Sequence, residues 1–549
     1  MARSRHSRRP RIAGAPLALL CLALLGAPAT GAEEWTGRTA DQVISHDDNE
    51  YARGVELLLA GSLHAFWSED APTMREIHYG RSTNEGDDWS SQGNDRLISF
   101  PDGNEASDGC AAAGRGDPLL VVWAEEHTGT REIHYGISND GGETWSCESQ
   151  DLILSDPTSA IYTGTPAATI DQDGALHVVW HQSTPGGVAE IHYGRSTDGG
   201  LTWSSSTSDR VISFPDGNPA VDPSITASEN TLCVVWREDG DSGDPQLHVG
   251  LSTDGGLTWS SETADRAISQ PATILLDPVV ASALYDTEVG IVAVYQASFD
   301  TSSPYHYEIY ASHSYDGGAT WSGEASLVPV SHDEGAGNSA FNPDVAVRAW
   351  GGFHAVWDEE HEASGTKEQH YSFGDGDSWS GATADSLISF PDGENGYRPS
   401  IVATDWIAAG ASRGLPLVHV AWTEFAGGAS DNYEVHFSKL LVTAGAVEAD
   451  RPGPRFSAHC SPNPSGGIVR IAGAFPFTAM TNAGARVSAF IFDPAGRCVR
   501  HLSGRARPDG SFSLGWSGRD DSGRRVAPGM YLARLRIAGQ VRAVPIVRL

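Results

Sequence analysis

Two sets of residues in this 549-residue chain have the types and spacing to do chemistry. The first set is repeated. Glu76, Glu132, Glu190, Glu308, Glu368 and Glu434 each open a phrase such as EIHYG, and Glu69, Glu125, Gln182, Glu238, Ala297, Glu359 and Glu424 each stand two residues after an aromatic. On one rim, such acids would form a funnel for cations or basic ligands. His78, His134, His192, His248, His370 and His436 beside them are of a metal-ligating type. Near-identity in every copy points instead to structure: loop caps, partners for the recurring His and Arg, and histidines packed inside. IDQDGALH (170–177) reads as a hairpin turn rather than a calcium loop. No Cys/His spacing suggests zinc. No metal and no cofactor is therefore expected.

The second set differs from copy to copy, as a site built on a repeat must. It comprises Arg53, Asp108, Thr165, Asp222, Asp277, Asn342 and Arg398, followed by Gly in the first two copies and by Pro in the rest. Two arginines on neighbouring repeats could grip a carboxylate bidentately. With three aspartates opposite, mutual ion pairing is an equal alternative.

The elements that must position these residues come from the repeat itself. Seven copies start 56, 58, 56, 62, 60 and 66 residues apart, counting from Glu76. Each has an alternating β-rich run ending in an aromatic (LHVVW, 176–180), the EIHYG strand, a turn, a Trp-Ser step and a run such as DRVIS (209–213). Four short strands per unit, without helical periodicity, describe a propeller blade. The seventh copy stops at EVHFSKLLV (434–442), while WTGRTADQVIS (35–45) matches the missing outer strand. The expectation is an all-β, seven-bladed propeller over 33–442, its last blade closed by the N-terminal strand, which removes an open sheet edge.

The turn carries a resemblance. Ser138, Asp140, Gly142 and Trp145, with Ser196, Asp198, Gly200 and Trp203, Ser252, Asp254, Gly256 and Trp259, and Ser314, Asp316, Gly318 and Trp321, spell a motif similar to the Asp box of the sialidase (BNR-repeat) superfamily. NEGDDW (84–89) and GDGDSW (374–379) are degraded copies. A motif present in most blades is a building block: Asp accepts turn amides, Gly supplies positive φ, and Trp packs on a blade flank. The resemblance implies a possible exo-glycoside hydrolase, whose enzymes use three arginines, a Tyr–Glu nucleophile pair and an Asp acid/base on six blades. Here seven blades are expected, the axial set has two arginines, and no catalytic residue can be assigned. The reading favoured is a non-catalytic binding or surface-display protein for carbohydrate or a cell-surface protein, with the sialidase-type hydrolase as alternative.

After a Pro/Gly-containing linker (443–455) the style changes. Residues 456–549, with SPNPSGG (461–467) and WSGRDDSGRRVAPGMY (516–531), resemble the FlgD-like Ig-fold domain, which implies targeting or attachment. Residues 451–549 hold 15 Arg and 4 Asp, whereas 33–450 hold 16 basic and 67 acidic residues. Such an acidic body excludes nucleic acid and anionic membrane as partners. Residues 1–32 have a basic start, a short apolar run and a small-residue end, the pattern of a signal peptide cleaved after Ala32. No later run is long enough to span a membrane. An exported monomer is expected. Five cysteines would remain after cleavage, and whether Cys460 and Cys498 pair is open.

Overall fold

The computed structural model describes residues 34–442 and 457–548, apart from short segments within both ranges. The proposed signal peptide and linker lie outside the described residues. Between residues 34 and 442 the strands form seven successive antiparallel sheets. Blade 4 shows the plan: Ala220–Ser228, Thr231–Asp239, Pro245–Ser252 and Arg266–Ala267 pair in chain order. The inner strands of blades 1 to 7 are Ala52–Leu59, Glu105–Ala113, Tyr162–Ile170, Ala220–Ser228, Ile274–Tyr285, Ser339–Val347 and Gly396–Ala403. Each packs on the next, and the seventh packs on the first. The ring is closed.

Closure uses the N-terminal segment as the sequence predicts. Glu34–Trp35 pairs with Leu441 and Leu440, and Gln42–Val43 pairs with Phe437 and His436. One interaction runs through every blade: a serine just past the outer strand accepts the N–H that follows the strand-opening position. The bonds Ile77 N–Ser99, Ile133 N–Ser155, Ile191 N–Ser213, Leu247 N–Ser269, Ile309 N–Ser331 and Gln369 N–Ser389 are 2.8–3.0 Å. In blade 7 the serine is Ser45, 2.9 Å from Val435 N.

The blades are fastened by hydroxyls that can come from either of two places. Blades 1, 3 and 4 have glycine on the third strand (Gly80, Gly194, Gly250) and serine after the Trp (Ser91, Ser205, Ser261); blades 5, 6 and 7 reverse the pair (Ser312 with Gly323, Ser372 with Gly381, Ser438 with Gly37). The space holds one side chain only. A Cβ on Gly194 would lie 2.5 Å from Ser205 Oγ, and one on Gly323 would lie 2.6 Å from Ser312 Oγ. From either position the hydroxyl donates to a carbonyl of the preceding blade: Ser205 to Leu154 (2.6 Å) and Ser312 to Ile268 (2.7 Å).

The core follows the same seams. Trp145 packs edge-on against Phe66 and Tyr79 of the blade before it, and Trp203 and Trp259 do the same against Tyr135 and Tyr193. Burying one such indole per blade, at about 1.5–3 kcal/mol for a large apolar side chain, drives the packing of blade on blade.

Residues 457–548 form two sheets. One holds Ser457–Ser461, Val469–Ala474 and Ser511–Trp516; the other holds Cys498–Arg505, Arg486–Phe492, Gly529–Ile537 and Gln540–Arg548. Their inward residues, among them Val469, Ile491, Leu514, Trp516 and Leu535, make one core. This is a sandwich. Cys460 carries a free thiol, and the Cys498 side chain lies outside the described residues.

Candidate ligand site at the propeller axis

Each inner strand breaks register once, between Gly164 and Ala167, Val221 and Ser224, Leu276 and Val279, Phe341 and Asp344, or Tyr397 and Ser400 in blades 3 to 7. The extra residue is a bulge that turns a side chain toward the axis. It is Thr165, Asp222, Asp277, Asn342 or Arg398, all held at φ between 39° and 53°. Five left-handed residues in one ring are unusual for side chains other than glycine. In blade 1 the break runs from Arg53 to Glu56 and the bulge residue is Gly54, at φ 58°. Arg53 therefore sits one residue earlier than its sequence alignment with the others. The bulge in blade 2 contains Asp108, whose side chain lies outside the described residues.

Why this position varies is visible in its backbone. The N–H groups of Asp222, Asn342 and Arg398 donate to His181 Nδ1, Gln296 Oε1 and Asp358 Oδ1 of the preceding blade, at 3.2–3.4 Å. One residue layer on, Ser224, Asp344 and Ser400 accept the N–H of Val280, Ile401 and Leu57 in the following blade, at 2.8–3.1 Å. The backbone and this inner layer bind the blades; of the bulge side chains, Thr165 meets His181 Nδ1 at 2.8 Å and Asn342 donates to Asp358 Oδ1 at 2.7 Å, while Asp222, Asp277 and Arg398 line the channel. Glu56, in the same layer, has its carboxyl pushed well up by burial and by Asp344.

All seven inner strands line a cavity of about 760 Å³. Arg53, Thr165, Asp222, Asp277, Asn342 and Arg398 are on its wall. Blades 7 and 1 add residues that the sequence reading did not single out as site residues: Arg75, Tyr51, Tyr397 and Tyr433. Arg75 and Tyr433 belong to third strands, and only their side-chain length brings them to the axis, so no spacing rule would have found them. Asp70 holds Arg53 Nη2 and Arg75 Nε, each at 2.9 Å, and Arg75 continues to Glu105 at 2.7 Å. The Arg53 guanidinium lies 3.9 Å over the Tyr51 ring, which meets Tyr433 at 4.3 Å. Arg398 is exposed in the channel, and its charge draws down the Asp277 carboxyl, which burial and Asp222 push up. One side of the mouth is thus cationic and aromatic, and the other, with Thr165, Asp222 and Asp277, is acidic.

The repeated acids have a structural partner beside the expected histidines, whose Nδ1 atoms lie 3.5–3.9 Å from them in blades 1, 2, 4, 6 and 7. Each Trp of the second strand donates its indole N–H to the Glu two residues on, at 2.5–2.9 Å in blades 1, 2, 4, 6 and 7. Sequence reasoning offered His and Arg for this role. The repeated histidines lie against the same indoles with centroids 5.9–6.3 Å apart. The strand-opening Glu76, Glu190 and Glu368 accept Ser99, Ser213 and Ser389 at 2.6 Å. Asp171 in IDQDGALH accepts the N–H of Asp173 and Ala175 and meets His177, which makes it a hairpin turn.

The Asp boxes are local turns. In blade 3, Ser196 donates to Asp198, which accepts both the N–H (3.0 Å) and the hydroxyl (2.6 Å) of Thr202, while Gly200 at φ 86° donates to Ser196. The Thr202 bonds hold the Asp198 carboxyl down at about 2. Blade 1 keeps the turn with Asn84 in place of Asp, its Oδ1 accepting Asp88 N.

Residues 118–298 match the BNR repeat-like domain family, and residues 469–538 match the FlgD Ig-like domain family. No curated protein matches the chain. Among solved structures the chain is similar to a protein of unknown function from Dyadobacter fermentans, at 13% identity over 62% of this chain and 97% of that one, with a TM-score of 0.40. It is also similar to Trypanosoma rangeli sialidase in complex with the inhibitor DANA, at 12% identity over 94% and 89%, TM-score 0.39. A Hadza microbial sialidase aligns at 16% identity over 58% and 66%, TM-score 0.40. At these identities the likeness is one of fold, and activity has to be argued from the site.

Proposed function

We propose that this chain is an exported, non-catalytic binding or surface-display protein whose propeller takes a small zwitterionic ligand at its axial mouth. The Ig-like domain serves targeting or attachment. The observation that carries the reading is the division of the mouth into a cationic, aromatic side (Arg398 with Tyr51 and Tyr433) and an acidic side (Asp222, Asp277). A carboxylate suits the first and an ammonium or polar group the second, and Tyr51 and Tyr433 offer ring faces for a sugar. The site residues differ between blades while the backbone holds the ring, which is where a repeat protein can place specificity.

The second reading is a sialidase-type hydrolase, favoured by the BNR match and by Arg53, Arg75 and Arg398 on one cavity. Against it, Asp70 already engages both Arg53 and Arg75, so those two guanidiniums are committed to a protein carboxylate. A glycan and peptide array probed with the mature chain tests the proposal. The double variant Asp222→Asn/Asp277→Asn is expected to lose the hits while keeping its melting temperature. Loss of stability with binding intact would mean that the axis is only a plug.

A further inference from the structure

Four of the blades pair two acids in the same buried place. Glu238 and Asp265 in blade 4, Glu359 and Asp385 in blade 6, and Glu424 and Asp41 in blade 7 each lie with a histidine, their ligating atoms within 4.8 Å of one another. Glu69 and Asp95 repeat this in blade 1. The Asp has a task of its own. Asp265, Asp385 and Asp41 accept the N–H of Phe214, His332 and Phe390 from the preceding blade, at 3.0–3.2 Å. The Glu, meanwhile, accepts the Trp indole of its own blade. Asp265 Oδ2 and Asp385 Oδ1 are buried and receive no N–H or hydroxyl donor. Each of these aspartates faces Glu238 or Glu359, with an oxygen of each within 4.8 Å of the other. Two facing carboxyl groups can hydrogen-bond to each other only if one carries a proton.

Blades 3 and 5 show which proton this is. In blade 3 the Glu is replaced by Gln182, whose Oε1 accepts Trp180 Nε1 at 3.0 Å and whose Nε2 donates to Asp209 Oδ2 at 3.1 Å. Gln182 is the neutral shape of a protonated Glu doing both tasks, and Asp209 still accepts Asp156 N from the blade before, at 2.9 Å. In blade 5 all four members change together: Tyr295 for Trp, Ala297 for Glu, Tyr310 for His and Leu327 for Asp. The group is kept or lost as a unit. We propose that the Glu of each pair is protonated in the folded propeller and donates to its Asp, forming a proton-sharing latch between neighbouring blades.

The surroundings oppose a second negative charge in each pair. Burial raises the carboxyls of Glu238 and Asp385, and each partner acid adds to the rise. Burial also lifts Glu424 to about 8 and Asp41 to about 7, with Asp392 and Glu368 pushing the same way. Asp216 faces the blade 4 pair and Glu308 the blade 6 pair, so further acids oppose a second negative charge. Burial lowers His248 and His436 to about 4, leaving them neutral.

The sign follows from linkage. A Glu that titrates near 4.5 when unfolded and higher when folded stabilises fully below the first value; that stability is lost as pH rises through the second. Between about pH 4.5 and about pH 8, each latch costs about tenfold in the folding constant per pH unit. Thermal melts of the mature chain from pH 5 to pH 8.5 test this. The triple variant Glu238→Gln/Glu359→Gln/Glu424→Gln is expected to melt higher than wild type at pH 8 and to bind about three fewer protons on folding near pH 6.5. The reverse change, Gln182→Glu, is expected to steepen the fall of melting temperature with pH. An unchanged slope in either variant overturns the latch. So does a large rise of the wild-type melting temperature on adding calcium or zinc that the triple variant lacks, which would make these clusters metal sites.

Discussion

At the scale of single residues, the axial bulge separates what holds the ring from what faces the solvent. Arg398 has φ 49° and its N–H is bound to Asp358, while its side chain projects into the channel. Glycine adopts that backbone more readily, as Gly54 does in blade 1. Arg398→Gly is therefore expected to keep the melting temperature, or to raise stability by about 1 kcal/mol or less, while abolishing ligand binding. A clear drop in the melting temperature would assign the guanidinium to the structure instead. Calorimetry and a binding titration on the same sample decide it. Sequence alone found this position, because it varies while its neighbours repeat. It misaligned Arg53 by one residue, since without Pro nothing in the string marks where the bulge begins. It missed Arg75 and Tyr433, which reach the axis from third strands.

At the scale of the element, the blade is a set of interchangeable solutions to one packing problem. The Gly/Ser swap between blades 1, 3 and 4 and blades 5 to 7 says that one small side chain must fill the space and that its origin is free; blade 2 fills it with Cys147 beside Gly136. Gly194→Ser should place two side chains in a space for one and cost about 1–3 kcal/mol. The double variant Gly194→Ser/Ser205→Gly should recover most of that loss, because it rewrites blade 3 in the manner of blade 5. A double-mutant cycle by denaturant unfolding measures the coupling. Additive losses would refute the equivalence. The strand order, the closure by residues 35–45 and the turn chemistry were readable in the string, because each depends on local spacing. The Trp–Glu partnership was not read. The two residues sit next but one on the same strand, and the expected partners, His and Arg, recur just as regularly.

At the scale of the whole molecule, the chain is a closed acidic propeller followed by a basic sandwich, with no described helix long and apolar enough to cross a membrane. Repeat phasing predicts the propeller and composition the change of charge, while the sandwich follows from the FlgD-like resemblance of residues 456–549. The sequence already put Arg53 and Arg398 on neighbouring repeats with aspartates opposite; it could not show Asp70 bridging Arg53 and Arg75, which depends on side chains of the second and third strands. With Asp70 bridging Arg53 and Arg75, the account holds that the mouth binds without cleaving. The most direct test is turnover of a fluorogenic sialoside by the purified mature chain. The account predicts a rate equal to the blank, with wild type and Arg398→Ala indistinguishable. Release above the blank that Arg398→Ala abolishes would contradict it and make the axial mouth an active site.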